Sequence, residues 1–510
     1  MFNKLETNAL GSKTNNLFSS EPFWVIALLL VFLSLGLIEA SKLPLFLDTW
    51  WDEIMHVDPA ANLYFGQGFR SSAWFAQSKD EFWAGYPPLY PFLLSLWMQI
   101  FGFSLSAARS LNYMLAALSA LILWKAVIRL NLVKLAACRI LLLTLLLVIV
   151  GYSFDFRPGR PDVLMTTLAV TAFLAYSIPV KRYRYLCLVC LCAIFPFAGI
   201  GLIAYTAIFN GLVFIYLKRS FFKEFLAILS GLVIGSLGLL SFYYTNGVFR
   251  GFLASTLTTS TLSMPGSKGP FLDKFLSDIF FGLTSGYRSK WLLIFILLIA
   301  VYNLAKKEFK YQSLASFGIA AGFSIPFAMR TAGAYPLYYD WMTCLPLAVC
   351  VCSEMSELLR AYRQHYLRSA LLALTMALLL FAPPLHLKLL MTHWGSLDYA
   401  VVDNFVTQNV HKDDWAAGDP LTYYALRNKV EIVFHPFYIQ AMSQQEKDRV
   451  SVIITKPTSD PPLQWIGDFE TITSKLGGFW YDTGKSLTLR GAKSPFSPKQ
   501  VELRIYRRRS

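Results

Sequence analysis

The first long apolar stretch of the chain is PFWVIALLLVFLSLGLIEA, residues 22–40. A helix of about 20 apolar residues is long enough to cross the hydrocarbon core of a bilayer. The stretch is too long for the apolar region of an ordinary signal peptide, and no convincing A-x-A cleavage site follows it. It therefore predicts an uncleaved membrane anchor.

The composition extends this prediction to the whole chain. Of the 510 residues, 55% are hydrophobic and 15% are charged, whereas soluble globular chains carry about 25% charged residues. This composition excludes a disordered chain and disfavours an ordinary cytosolic enzyme. The formal net charge of +15 is typical of basic cytoplasmic loops in a membrane protein. No nucleic-acid-binding motif accompanies it, so no nucleic-acid partner is expected.

Further apolar stretches bring the prediction to eleven membrane spans. They cover residues 22–40, 106–128, 137–153, 162–179, 185–200, 201–217, 224–244, 290–304, 312–329, 340–357 and 369–387. One kinked helix over 185–217 is an alternative to the two spans there. The segment 88–101 is predicted to be a helix that lies in the membrane interface, because a span there would invert the charge bias of the later loops.

Lys and Arg residues near the span ends set the predicted orientation. The short loops on one side are rich in them and are assigned to the cytoplasm. The loops on the other side are longer and aromatic, beginning with the first outer loop, residues 41–105, and they are assigned to the outside. The sequence thus predicts an α-helical polytopic protein of the plasma (inner) membrane. Residues 1–390 form its transmembrane domain, and residues 391–510 form a small extracytoplasmic α/β domain.

The tail after residue 390 alternates helical and β-rich patterns. A helical pattern covers 396–409, and the short β-rich runs are Val430–Phe434 and Val452–Thr455. Ser443 and Glu446 have the spacing of a capping box, which predicts a helix between those runs. Alternating β and α elements indicate an α/β domain with some parallel strand pairing.

The first outer loop concentrates acidic residues among aromatic ones. Asp52, Glu53 and Asp58 are close together with His56, and Tyr86 follows in an aromatic, proline-rich run. A carboxylate in apolar surroundings tends to have a raised pKa, which suits a general base. Tryptophan and tyrosine rings can stack on sugars, although they also populate membrane interfaces. A solvated acidic loop with an aromatic belt is the alternative interpretation.

Two arginines lie at span ends on the same outer side. Arg109 begins the second span, and Arg160 begins the fourth together with Asp162. Ionisable groups at membrane depth are costly, so a side chain that snorkels to the interface is one interpretation of each arginine. If Arg109 and Arg160 converged with acidic residues at one opening on the outer side, they would instead form a clamp for a phosphate group.

The order of these motifs resembles that of the polytopic GT-C glycosyltransferases. The motifs are Asp52-Glu53 after the first span, Tyr86-Pro-Pro-Leu-Tyr-Pro, Phe101-Gly102 followed by Ala108-Arg109-Ser110-Leu111, and Arg160-Pro161-Asp162. The chain is most similar to the branch that contains the protein O-mannosyltransferases and the bacterial lipid A aminoarabinose transferase. The recognisable motifs cover residues 20–220, and the remainder is similar in helix pattern only.

The resemblance implies a transferase that moves a sugar from a polyprenyl-phosphate donor to a hydroxyl of a lipid, glycan or protein acceptor at the extracytoplasmic face. Asp52 matches the catalytic acid, with Glu53 beside it. Arg109 matches the arginine that faces the lipid phosphate, and Arg160 accompanies the second acidic position. The residues assigned supporting roles are Asp162, His56, Asp58 and Tyr86.

The chemistry of this transfer agrees with the residues. Asp52 would take the acceptor proton, Arg109 and Arg160 would neutralise the departing lipid phosphate, and in-line attack would invert the anomeric carbon. His56 stands where the family often has tyrosine, which leaves the sugar and the acceptor open. No nucleotide-binding motif is needed, because the activated sugar arrives on a lipid, and no cofactor is assigned with certainty. A divalent cation bound by His56 is an alternative, but a structural hydrogen bond is favoured, because the other histidines form no ligand spacing with it.

Two other functions are kept as alternatives. A lipid-glycan transporter or flippase would need ionisable residues near the bilayer midplane and paired, broken helices, whereas the charges here gather at the outer ends of the spans. A non-catalytic assembly partner that binds lipid-linked glycans would use the same arginines and would not need Asp52. The resemblance favours the transferase.

Overall fold

The structure of the protein is a computed structural model. It describes residues 21–42, 51–74, 77–148, 158–217, 222–262, 289–305, 307, 310, 313–331, 339–361, 391, 398–435, 438–457, 469–494 and 497–509. Within these ranges the chain forms an N-terminal helical part and a C-terminal part that contains one mixed sheet.

The helical part follows the apolar stretches of the sequence. Its described helices are α1 (Glu21–Lys42), α2 (Trp51–Tyr64), α3 (Leu89–Phe101), α4 (Leu105–Arg129), α5 (Ala136–Val148), α6 (Asp162–Ala175), α7 (Lys181–Ala198), α8 (Ile200–Leu212), α9 (Phe222–Thr245), α10 (Phe249–Leu262), α11 (Ser289–Ala305), α12 (Leu314–Thr331) and α13 (Trp341–Ala361). Ten predicted spans coincide with helices in this set. The eleventh, 369–387, lies outside the described residues, so the number of spans stays a prediction.

Four described helices, α1, α4, α9 and α13, are long and apolar enough to cross a membrane by length and composition. α4 and α13 lie mostly inside the protein, whereas α1 and α9 expose large apolar side chains, among them Trp24, Leu30 and Leu237. A continuous apolar surface of this kind marks a face that contacts lipid rather than water. The protein is therefore a multi-pass membrane protein.

The apolar run 185–217 forms two helices rather than one. Helix α7 ends at Ala198 and α8 begins at Ile200, with Gly199 between them in an extended conformation (φ 178°). Pro196 also lacks the backbone N–H that would bond one turn back. The run is thus broken at Gly199 into two helices, and two separate membrane spans in this region stay a prediction.

The N-terminal ends of α4 and α6 lie side by side in the helical part. Ser104 caps α4 by accepting a hydrogen bond from the Ala107 backbone N–H, and Pro161 precedes α6, where a residue without a free N–H is tolerated. Deeper in the protein, the Ser119 and Thr167 hydroxyls of the two helices are 2.8 Å apart. This pairing sets the two arginine-bearing helix ends against each other.

The C-terminal part is an α/β unit with a mixed sheet. Its strands, in the sheet order β2-β1-β3-β5-β4, are β1 (Ala416–Gly418), β2 (Val433–Phe434), β3 (Val452–Thr455), β4 (Trp480–Ser494) and β5 (Ser497–Arg508). β1 pairs in parallel with β2 and β3, as predicted, while β5 pairs antiparallel with β3 and β4. The helices of this part are α14 (Ala400–Asn409), α15 (Tyr423–Lys429), α16 (Gln444–Arg449) and α17 (Phe469–Leu476).

The sequence patterns of the tail correspond to this unit with two differences. Ser443 and Glu446 form the predicted capping box at the start of α16. The β-rich run 430–434 is a strand only at its last two residues, because Val430 closes α15 through its backbone N–H. The long β4–β5 hairpin was not predicted, since polar residues interrupt the alternation that identifies a half-buried strand.

Candidate active site

Helix α2 carries the acids and the histidine of the first outer loop. Asp52 and Glu53 lie in its first turn, where the backbone N–H groups of a helix favour negative charge. Asp52 and His56 are four residues apart and share one face of the helix, whereas Glu53 projects in a different direction. α2 thereby presents its carboxylates to two different neighbours.

Glu53 pairs with Arg109 of α4 in the protein interior. The guanidinium donates from Nε to Glu53 Oε1 (3.1 Å) and from Nη2 to Oε2 (2.9 Å), and the two residues are 0% and 3% exposed. A two-point pair of this kind is stronger and more directional than a single hydrogen bond. Arg109 thus lies near the start of the second predicted span, as expected. It bonds to the Glu53 carboxylate in the structure, whereas the sequence predicted a lipid phosphate as its partner.

Arg160 connects the other two acids that the motifs singled out. It donates from Nη1 to Asp52 Oδ2 (2.5 Å) and from Nε to Asp162 Oδ2 (3.0 Å). Arg160 and Asp162 are buried, whereas the Asp52 side chain is 38% exposed. Asp52 is therefore the member of this charged cluster that faces solvent, and its partners lie inside the protein.

Asn112 fixes the segment that carries Arg160. This residue lies one turn after Arg109 on α4, and its side-chain amide donates to the carbonyl oxygens of Pro158 (2.5 Å) and Arg160 (3.1 Å). The side-chain oxygen of Asn112, Oδ1, accepts a hydrogen bond from Tyr90 Oη (3.1 Å). Sequence reasoning missed this residue. Arg109 belongs to α4, and Asn112 of the same helix holds the Arg160 backbone, so α4 positions both arginines.

Asp58 lies on the buried side of α2. Its Oδ2 accepts hydrogen bonds from Ser71 Oγ and from the Ser72 backbone N–H, both at 2.8 Å, and its Oδ1 accepts one from Tyr423 Oη (2.5 Å). Burial raises the pKa of this carboxyl, although these donors and the nearby Arg427 charge act in the opposite direction. Because both oxygens are engaged, Asp58 acts as a connector in the structure.

The C-terminal part reaches this region through two adjacent tyrosines at the start of α15. Tyr423 donates to Asp58, and Tyr424 Oη donates to Glu53 Oε1 (3.2 Å); both rings are buried. Sequence reasoning missed both residues, because Tyr424 and Glu53 are 371 residues apart in the chain. The aromatic and apolar content of this short tail segment was the only signal of burial.

Tyr423→Phe is expected to lower the melting temperature of the purified protein in detergent more than Tyr424→Phe does. The first change removes one of three donors to the buried Asp58 carboxylate, whereas Glu53 keeps both Arg109 hydrogen bonds after the second. Removing one partner of a buried hydrogen bond costs about 1–3 kcal/mol. Equal melting temperatures for the two variants would contradict the role given to Tyr423.

His56 follows Asp52 on the same face of α2 and packs against two tyrosines. The centroid of its ring is 4.9 Å from that of Tyr86 and 6.4 Å from that of Tyr90. Burial, assisted by the positive charge of Arg160, lowers the pKa of His56 to about 3, so the ring is neutral. Its Nδ1 is buried and has no hydrogen-bond partner among the described residues. The structural hydrogen bond that the sequence favoured is therefore not found at this nitrogen.

The arrangement has the parts of a proton-transfer site beside an anion site. A half-exposed carboxylate can take a proton from a hydroxyl, and a guanidinium fixed next to it can stabilise a charge that develops on a leaving group. In the described ranges, no group of three or more His, Cys, Asp and Glu side chains is placed to hold a metal ion.

Solved structures identify the fold class. Two crystal structures of ArnT from Cupriavidus metallidurans, a lipid A aminoarabinose transferase, match 96% of this chain and 98% of their own at 10% identity. One is bound to undecaprenyl phosphate, with a TM-score of 0.57, and the other is in the apo state, with a TM-score of 0.58. The oligosaccharyltransferase of Archaeoglobus fulgidus has a TM-score of 0.49 at 9% identity, over 91% of this chain and 73% of its own.

The chain thus has the fold of the ArnT structures, which is the fold that its resemblance to the GT-C glycosyltransferases implied. No family model matches the chain, and neither does any curated protein. Because one fold can host several activities, the residues of the site, and not the fold, indicate the function.

Proposed function

We propose that the protein is a membrane glycosyltransferase that moves a sugar from a polyprenyl-phosphate donor to an acceptor hydroxyl at the extracytoplasmic face. The observation that carries this proposal is the half-exposed Asp52 carboxylate, bonded to the buried guanidinium of Arg160 within a GT-C fold. A protein with this fold has been captured with undecaprenyl phosphate, which supports a lipid-linked donor.

Asp52 is the general base in the proposed reaction. Its carboxylate takes the proton of the acceptor hydroxyl, and the acceptor oxygen attacks the anomeric carbon of the sugar. The bond between that carbon and the phosphate oxygen breaks, and its electron pair leaves with the polyprenyl phosphate. Attack from the side opposite the leaving group inverts the anomeric configuration.

Arg160 stabilises the phosphate as it gains charge. A cation contributes most to a transition state when it is already oriented and shielded from water. Arg160 meets both conditions, because it is buried and is bonded to Asp162 as well as to Asp52. Its fixed position means that little reorganisation is needed when the donor binds.

Arg109 is assigned a second role in addition to the predicted contact with the lipid phosphate. A guanidinium has five N–H donors, and Glu53 accepts from Nε and Nη2. The ion pair locks α2 against α4, and so it keeps the first turn of α2, with Asp52 in it, in place. In this proposal, Glu53 is a positioning residue for Asp52.

The proposal is tested with purified protein and a panel of undecaprenyl-phosphate hexoses and pentoses. At least one donor is expected to release undecaprenyl phosphate when a lipid, glycan or protein acceptor with a free hydroxyl is supplied. The Asp52→Asn variant, purified in parallel, should release none above background. Failure of every donor with all three acceptor classes would overturn the proposal, and so would equal release by the variant.

The outside location of residues 391–510 rests on the distribution of Lys and Arg residues between the loops. A reporter that is active only in the cytoplasm is expected to be silent when fused after Ser510. The matched control carries the same reporter after Arg129, the predicted cytoplasmic end of α4, and should be active. Activity of the Ser510 fusion would overturn the predicted orientation and would place the C-terminal segment on the cytoplasmic side of the membrane.

A further inference from the structure

His56 combines burial with an unsatisfied polar atom. The residue is 7% exposed, and its Nδ1 has no hydrogen-bond partner among the described residues. Buried polar atoms are nearly always hydrogen-bonded, so an exception calls for a specific explanation. A histidine kept only for packing would be replaced at lower cost by an aromatic ring without polar atoms.

The position of His56 connects it to the proposed reaction centre. It lies one helical turn from Asp52 on the same face of α2, and the Arg160 charge that holds Asp52 also acts on its ring. The rings of His56 and Tyr86 pack in a T-shaped arrangement, and the Tyr86 hydroxyl lies near the α7–α8 junction, since a Cβ at Gly199 would be 3.2 Å from Tyr86 Oη. His56 therefore lies beside the proposed base, Asp52, and its partner Arg160.

The chemistry of the ring selects the kind of group that it can bind. A neutral imidazole has one nitrogen that donates a hydrogen bond and one that accepts. It is poorly suited to bind an anion, and Arg160 already provides the positive charge of the site. A sugar hydroxyl, which can both donate and accept, fits either nitrogen.

We propose that His56 Nδ1 makes a hydrogen bond to one hydroxyl of the donor sugar and thereby helps to select the sugar. This inference rests on the proposed glycosyltransferase function. It assigns His56 a role in sugar recognition, distinct from the cation-binding alternative. Asp52 removes the proton of the acceptor hydroxyl, and His56 orients the sugar ring whose anomeric carbon the acceptor oxygen attacks.

The test uses a sugar donor that wild-type protein turns over and a series of analogues, each of which lacks one hydroxyl. Wild-type kcat/KM is expected to fall by about tenfold for the analogue that lacks the recognised hydroxyl, the effect of one neutral hydrogen bond. In His56→Phe, kcat/KM for the parent donor should fall by a similar factor, and discrimination against that one analogue should disappear. His56→Asn, which can place a polar atom near Nδ1, should retain part of the discrimination.

Stability provides a readout that separates recognition from a structural role. The melting temperature of His56→Phe should equal or exceed that of wild type, because the change removes a buried nitrogen, Nδ1, that has no hydrogen-bond partner among the described residues. His435→Phe is the matched control: His435 is also buried, but it lies in the C-terminal part, where its backbone N–H donates to Ser72. That variant should discriminate among the analogues as wild type does.

The outcomes are distinct. If His56→Phe keeps the full wild-type discrimination against every analogue, or loses activity only in proportion to a lowered melting temperature, the inference is wrong. If wild-type protein turns over no lipid-linked sugar, the proposed function is wrong, and the inference about His56 is wrong with it. A normal parent reaction with unchanged discrimination in His56→Phe would overturn the sugar contact and leave the glycosyltransferase proposal intact.

Discussion

Asp52→Asn is expected to abolish sugar transfer and to leave the fold intact. An amide cannot take the acceptor proton, and loss of a general base lowers turnover by about 10²–10⁴-fold. Asparagine is nearly the same size as aspartate, and the side chain is 38% exposed, so little packing is disturbed. The measurements are turnover of the lipid-linked donor at saturation and the melting temperature in the same detergent.

Asp80→Asn is the matched control for this prediction. Asp80 lies in the same outer loop, but its side chain is 67% exposed and bonds only to Lys79 and Arg70 among the described residues. Its turnover should equal that of wild type. Near-normal turnover in Asp52→Asn would show that Asp52 is not the base and would leave Glu53 or Asp58 for that role, although both of those carboxylates are buried and already engaged.

Arg109→Met is expected to give the largest loss of stability among these variants. It leaves the fully buried Glu53 carboxylate without its two-point partner. Breaking a buried ion pair by removal of one partner costs about 3–5 kcal/mol, because the remaining charge is neither solvated nor compensated. The melting temperature of the purified protein measures this loss, and a low yield of folded protein is part of the expected result.

The double variant Arg109→Met/Glu53→Gln distinguishes the ion pair from other causes. It replaces the buried Glu53 carboxylate by a neutral amide, which still provides an acceptor for Tyr424 Oη. The double variant should therefore recover much of the stability lost in Arg109→Met. No recovery would contradict the ion-pair explanation. Arg109→Lys separates the predicted phosphate contact: if Arg109 binds the donor phosphate as a two-point donor, lysine should lower turnover at saturating donor by more than it lowers stability.

The helices and the candidate acids could be predicted from the sequence because they depend on local patterns. Long apolar runs identify helices wherever lipid or a helical core surrounds them. The Asp52-Glu53 pair stood out because acids are rare in this chain, and Arg160-Pro161-Asp162 because a proline opens a helix there. Each of these patterns can be recognised from residues that are close together in the sequence.

The partners of these acids could not be predicted, since pairing is a property of the tertiary structure. Nothing in the sequence indicates that Glu53, and not Asp52, bonds with Arg109. The amide of Asn112 looks like an ordinary polar residue in a span until it is seen to hold the Arg160 backbone. Likewise, only the structure shows that His56 Nδ1 has no hydrogen-bond partner in the described part of the chain.

The paired tyrosines of α15 have a consequence for how this protein can change in evolution or by engineering. Tyr423 and Tyr424 bond to Asp58 and Glu53, two buried carboxylates on a helix of the other part of the chain. Residues 391–510 are therefore not an interchangeable module. A chimera that takes this segment from another protein of the same fold would also need the α2 helix of that protein, because a mismatched pair would leave buried carboxylates without their hydrogen-bond donors.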